Sequence, residues 1–146
     1  MMADALRVVL VDDEELVRSG LRLLLSNAPD IEVVAEASNG RDAVATVLDA
    51  QPDVVLMDIR MPVMDGIAAV EKILSVHAVP IIMLTAFDTD SFILRALRAG
   101  AAGFLLKSTP PESLMAAVRA AAAGQPLLSP QGVAKLVSMQ GLSLIH

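Results

Sequence analysis

Asp58 closes the apolar run Val54-Val55-Leu56-Met57 and opens the turn Ile59-Arg60-Met61-Pro62-Val63-Met64-Asp65-Gly66. An ionised carboxylate at the end of a buried strand is costly unless something there binds or reacts with it. The run Val8-Val9-Leu10-Val11 likewise stops on acids, Asp12 and Asp13. Pro80-Ile81-Ile82-Met83-Leu84 stops on Thr85, and Gly103-Phe104-Leu105-Leu106 stops on Lys107. Laid side by side and parallel, these runs would bring carboxylates, a hydroxyl and an ammonium to one edge of one sheet. That set suits a phosphoryl group accompanied by a divalent cation.

Three carboxylates held together repel one another unless a cation intervenes. Oxygen-only donors with room left for water suit Mg2+, and no histidine is placed to favour zinc. An ion between Asp13 and Asp58 leaves the second Asp58 oxygen free to act as a nucleophile, giving an acyl phosphate. Lys107 would neutralise one phosphoryl oxygen and the Thr85 hydroxyl would donate to another. Positioning and charge neutralisation are what a loose phosphoryl-transfer transition state requires. Taken singly, each residue has a plainer reading. Acids such as Asp12 through Glu15 are common in a first helical turn, Thr85 is an ordinary strand-end hydroxyl, and Lys107 is an ordinary solvated lysine. Asp65-Gly66 alone is turn chemistry. The register of the runs, which predicts a shared edge for Asp12, Asp13, Asp58, Thr85 and Lys107, favours the joint reading.

The elements that must position them follow a regular alternation. Strand-like runs begin near Arg7, Glu32, Val54, Ile81 and Ala102, with helical spacing between them. In the first helix Val17, Leu21, Leu24 and Ala28 share a face, with Arg18, Arg22 and Ser26 turned away. The second offers Ala43, Val47 and Ala50, the third Ile67, Val70, Ile73 and Leu74. The fourth presents Phe92, Leu94, Ala96 and Leu97 and ends at Gly100, a natural C-cap. In the fifth, Thr109 and Glu112 have capping-box spacing, Pro110 suits the first turn, and Leu114, Val118 and Ala121 form the buried face. Connections this short call for right-handed crossovers and a parallel sheet. Ile31–Ala37, with two Glu, reads as an edge strand, whereas the wholly apolar runs read as central ones.

At 146 residues the chain suits one domain and a short appendage. With 55% apolar and 19% charged residues it can bury a core, so disorder is excluded as the default. A net charge of −6 and the absence of Trp and Tyr argue against sequence-independent nucleic-acid or anionic-membrane binding. The absence of Cys rules out a disulfide frame, a thiolate metal site and a cysteine nucleophile, and fits a cytoplasmic location. No signal-peptide pattern opens the chain, and its longest uncharged stretches are too short to span a bilayer, so no membrane association is expected. After Gly124 the pattern changes. Ser129-Pro130 reads as a helix start, with Val133, Leu136 and Val137 giving a short amphipathic stretch. The expected division is 6–124 for the folded domain and 125–146 for a linker with a short helix.

The matching residues resemble those of a response-regulator receiver domain. They are Asp12-Asp13, Asp58 within Met57–Gly66, Thr85-Ala86 and Lys107, and the likeness runs from about Arg7 to Ala123. The resemblance implies a flavodoxin-like (βα)5 fold with strand order 2-1-3-4-5. It implies that Asp58 is phosphorylated by a sensor histidine kinase, with Asp12, Asp13, Asp58 and the backbone carbonyl of Arg60 around Mg2+, Asp12 through water. Thr85 and Lys107 would sense the phosphoryl group, and Phe104 occupies the position of the switch aromatic. Such a domain is a phosphoacceptor that assists its own phosphorylation and dephosphorylation rather than an enzyme on other substrates. Many receivers carry proline directly after the lysine. Here Lys107-Ser108-Thr109-Pro110 delays it, so a trans Lys107–Ser108 peptide is expected. That variant, with Leu127-Leu128-Ser129-Pro130, is similar to NarL/FixJ (LuxR-type) transcription regulators, which implies a homodimer on phosphorylation and DNA binding only through an output domain beyond this sequence.

Three rivals differ in checkable ways. A phosphatase of the haloacid dehalogenase type would want a second Asp two residues after the nucleophile, where Arg60 stands. A nucleotide or flavin module would need a glycine-rich phosphate loop, and neither the P-loop nor the dinucleotide pattern occurs. A stand-alone receiver or phosphate shuttle would lack any output domain.

Overall fold

The computed structural model describes residues 5–59, 61, 64–85 and 90–125, with only the backbone described for 90–93. The linker helix expected within 125–146 and the Arg60 carbonyl lie outside these residues. Five strands and five helices alternate: β1 (Leu6–Val11), α1 (Glu15–Leu25), β2 (Ile31–Ala37), α2 (Gly40–Ala50), β3 (Val54–Asp58), α3 (Gly66–Val76), β4 (Ile81–Thr85), α4 (Asp90–Ala99), β5 (Gly103–Leu106) and α5 (Pro111–Ala122). All four strand pairings are parallel, in the order β2-β1-β3-β4-β5. The flavodoxin-like architecture is therefore present, with Ile31–Ala37 at one edge as its two Glu suggest.

Alternation along the strands feeds two cores. Val8, Leu10, Val54, Leu56, Ile82 and Leu84 face α1 and α5 and pack with Leu25, Leu114 and Val118. Val9, Val11, Val55, Met57, Ile81 and Met83 face the other way and pack with Val47, Val70, Ile73 and Ala96. Val8 to Val11 and Val54 to Met57 are almost wholly buried, at roughly 2 kcal/mol for each such side chain removed from water. This explains why their sequences do not alternate.

One irregularity bears on the site. The β1–β2 register runs Val8↔Val33 and then Val9↔Ala35, so β2 carries an extra residue there. Ile31 and Val33 face the α1 side, Val34 and Ala35 both lie with the opposite core, and Ala37 follows them. The bulge thus shifts the side-chain parity by one and turns Glu36 toward α1.

Helix ends show which local signals governed. Gly100 has φ 111°, and Ala101 N–H to Ala96 O (3.0 Å) with Gly100 N–H to Leu97 O (3.1 Å) forms a Schellman motif, so the expected C-cap is present. The Thr109 capping box is not formed. α5 begins one residue later, with Pro111 in its first turn and Pro110 as the N-cap, and no side chain caps it. The reason is that a residue before proline is excluded from helical ψ, and Pro110 accordingly sits at ψ 148°. α1 ends at Leu25, leaving the buried Ala28 just beyond the helix. Every peptide bond among the described residues is trans, Lys107–Ser108 included. None of the described helices is long and apolar enough to cross a membrane.

Candidate functional site

The carboxyl edge of the sheet carries the chemistry, as open parallel sheets dictate. Asp12 follows β1, Asp58 ends β3, Thr85 ends β4 and Lys107 follows β5. Asp12 and Asp58 are only 2% and 7% exposed, the two buried charged residues among those described. Asp13 beside them is exposed. One carboxylate oxygen from each of Asp12, Asp13 and Asp58 lies within 4.8 Å of the others. Lys107 Nζ reaches Asp12 Oδ2 at 2.9 Å and Asp58 Oδ2 at 3.4 Å.

The backbone holds these groups from several directions. Asp12 N–H donates to Ala37 O (3.1 Å), and the Glu14 N–H donates to Asp12 Oδ1 (2.9 Å). Lys107 N–H donates to Thr85 O (2.8 Å), locking the ends of β4 and β5 together. Behind Asp58 the chain is clamped by Gly66 N–H to Ile59 O (2.7 Å) and Ile59 N–H to Leu84 O (3.3 Å). Asp65 then caps α3 by accepting from Ala68 N–H (2.8 Å). Asp65-Gly66 is thus more than a turn: it starts the helix that backs the site.

Burial disfavours the Lys107 ammonium, but the adjacent Asp12 and Asp58 carboxylates outweigh it and hold the lysine above its ordinary value. The Lys107–Asp12 contact is an ion pair by distance without the alignment of a directed hydrogen bond. Asp12 Oδ2, sealed from solvent, makes no hydrogen bond. A buried oxygen with coordinating capacity to spare, in an all-carboxylate cluster, fits a hard divalent cation such as Mg2+.

Asp12, Asp13, Asp58 and Lys107 therefore come together, with Thr85 on the same edge. Phe104 lies further back, paired in register with Met83 and half-buried against the core that includes Met83 and Ala96. Thr85 follows Met83 by two residues, so both it and Phe104 belong to the same face of the sheet. One group was misplaced by helical periodicity. Arg18, expected to face away, has a side chain only 15% exposed and folds onto Glu36 and the backbone of Asp12. Its partner is aimed by the β2 bulge, which periodicity does not reveal.

Comparison with known proteins gives the same picture. Residues 8–119 match the response regulator receiver domain family. Transcriptional regulatory protein YxjL of Bacillus subtilis is 43% identical over 141 residues, covering 94% of this chain and 64% of that one. LiaR of the same organism is 42% identical over 134 residues, covering 91% and 64%. Among solved structures, a LuxR-family two-component response regulator from Aurantimonas sp. SI85-9A1 superposes with a TM-score of 0.85 at 34% identity, covering 94% of this chain and 99% of that one. The receiver domain of the putative response regulator NarL from Mycobacterium tuberculosis gives 0.81 at 35% identity, covering 84% and 100%. The chain spans less than two thirds of the length of the Bacillus relatives. With the matched family covering most of the sequence, this chain belongs to the response regulator receiver domain family.

Proposed function

We propose that this chain is the phosphoacceptor receiver of a two-component transcription regulator, and that Asp58 takes its phosphoryl group from a phosphohistidine on a sensor histidine kinase. The observation that carries this reading is Lys107 reaching both Asp12 and Asp58 in a cluster of three carboxylates. An Asp58 oxygen attacks phosphorus while the P–N bond breaks, and the imidazole leaves with the electron pair. The product is an acyl phosphate on Asp58. Lys107 then neutralises a phosphoryl oxygen, and the Thr85 hydroxyl donates to another. Asp12, Asp13, Asp58 and the Arg60 carbonyl would hold Mg2+, Asp12 through water. When bound, the ion neutralises charge on the carboxylates and the incoming phosphoryl group. The same arrangement serves attack by water in dephosphorylation.

The added charge of nearly two units at Asp58 is the switching stimulus. Thr85 moves toward the phosphoryl group, and Phe104, on the same sheet face, turns into the space that its loop vacates. A two-state unit of this kind is biased by differential contacts rather than by binding as such. The transcriptional names of the longer relatives support a DNA-binding output domain beyond the residues present here. The test is mass spectrometry after acetyl phosphate and Mg2+. Wild type should gain about 80 Da, one phosphoryl group, and Asp58→Ala should gain nothing. Equal labelling of the variant sinks the assignment.

Dimerisation is the expected readout. On α1, Leu16 and Leu23 are 85% and 72% exposed and stand two turns apart on one stripe, with exposed Gly20 between them. Such large apolar side chains in water suit a face that a second copy covers. The double change Leu16→Glu, Leu23→Glu should keep the phosphorylated protein monomeric in light scattering while leaving its labelling intact. A dimer that persists would move the interface to α4 and β5.

A further inference from the structure

We infer that Arg18 is a positioning residue for the metal-binding acids, acting through the backbone of Asp12 and held in place by Glu36. The inference rests on the metal reading above and extends it to residues outside the carboxylate cluster. Arg18 Nη1 donates to the Asp12 carbonyl oxygen at 2.6 Å, and its Nε donates to Glu36 Oε1 at 3.1 Å. The other Glu36 oxygen pairs with Arg22. Glu36 is thus fastened by two turns of α1 and in turn fixes the Arg18 guanidinium.

The bond matters because of which carbonyl it takes. A peptide unit is planar, so fixing the Asp12 carbonyl fixes the plane that also contains the Asp13 N–H and Cα. Asp12 is then restrained at three points: its N–H by Ala37 O, its carbonyl by Arg18 and its Oδ1 by the Glu14 N–H. Only Oδ2 remains without a hydrogen bond, and it is this oxygen that meets Lys107. Asp13, exposed and a member of the cluster, depends on the same peptide plane for its direction. Arg18 touches none of the clustered carboxylates at its Nη1 or Nε contacts, and its Nη1 bond to the Asp12 carbonyl links it to them through the backbone. Its own burial identifies the pair as more than a surface ion pair, since the Arg18 and Glu36 side chains are 15% and 22% exposed.

The alternative is a structural tie between α1 and the edge strand, worth stability but nothing at the site. The two are separated by measuring Mn2+ affinity by electron paramagnetic resonance together with metal-free thermal melting. Wild type, Arg18→Ala, Arg18→Lys and Glu36→Gln are compared as whole chains. Loss of an outer partner of a metal site weakens affinity by roughly 10- to 100-fold. Arg18→Ala should therefore bind Mn2+ at least about tenfold more weakly, Arg18→Lys should recover part of the loss through a single bond to the carbonyl, and Glu36→Gln should fall between wild type and Arg18→Ala. If Arg18→Ala melts lower yet binds Mn2+ like wild type, the positioning role is overturned. If Arg18→Ala does not fold, Glu36→Gln decides in its place, and unchanged affinity there is equally fatal. A wild-type chain that binds no Mn2+ overturns the metal reading itself, and the inference falls with it.

Discussion

Gly66→Ala should lose about 3 kcal/mol of stability or more, enough to remove a large share of the 5–15 kcal/mol typical of a domain. A Cβ at this position would lie 2.3 Å from the Asp58 carbonyl oxygen, 2.8 Å from Ile59 Cα and 2.9 Å from Met83 Cε. The Met83 methyl can swing aside. The other two atoms are backbone, and they belong to the segment that carries Asp58. Alanine's better helix propensity returns at most about 1 kcal/mol, and less at a first-turn position, so steric overlap wins. Relief must come from moving α3 away from β3 or moving Asp58 itself. A urea titration checks the size of the loss, and acetyl phosphate labelling of the surviving folded fraction checks the displacement of Asp58. A midpoint within experimental error of wild type would show that the loop yields more easily than its hydrogen bonds suggest.

Lys107→Met should destabilise the metal-free protein at neutral pH and make it more dependent on Mg2+. Removing one partner of a buried pair costs about 3–5 kcal/mol. Water reaches the ammonium, whose side chain is 23% exposed, so about 1–2 kcal/mol is the appropriate expectation. Added Mg2+ should raise the melting temperature more in the variant than in wild type, because the carboxylates have lost their internal cation. The pH dependence has a definite sign. Burial lowers the lysine's proton affinity, the two carboxylates raise it further, and the net value stands above 10.5. A raised folded-state value means the contribution is whole below pH 10.5 and is withdrawn as pH climbs through that higher value. The difference between wild type and variant should hold steady from neutral pH and shrink only in strong alkali. No Cys or Tyr titrates in that range to obscure it. A gap that closes near neutrality would mean Lys107 does not carry the stabilising charge.

How much of this was readable in advance depended on whether the signal was local. The central strands announced themselves because both faces are covered: Val54–Met57 has no polar position for water to meet. Their shared carboxyl edge followed from parallel crossovers, and that alone brings Asp12, Asp58 and Lys107 together. Two features resisted. The start of α5 was misread because the Pro110-Pro111 pair overrides the capping-box spacing of Thr109 and Glu112. Arg18 was misread because a 3.6-residue period says which helix face it occupies but not what an adjacent edge strand presents there. The switch role proposed for Phe104 came from resemblance alone, whereas the place of the Thr85 hydroxyl at a phosphoryl group was already suggested by the strand ends. Placement on one sheet face makes their coupling physically reasonable, and nothing in their spacing alone would have suggested it.

The extra residue in β2 has a consequence for how such a chain can change over generations. Side chains along Ile31–Ala37 can drift with modest penalties, since an edge strand has only one paired flank. Its path matters more. The same seven residues drawn into regular alternation would rotate Glu36 to the opposite side of the sheet and leave Arg18 without its anchor. Losing the Val34 codon would not, because the unpaired residue goes and the pairing beyond it stays, so the Arg18 anchor withstands a deletion that most strands would not.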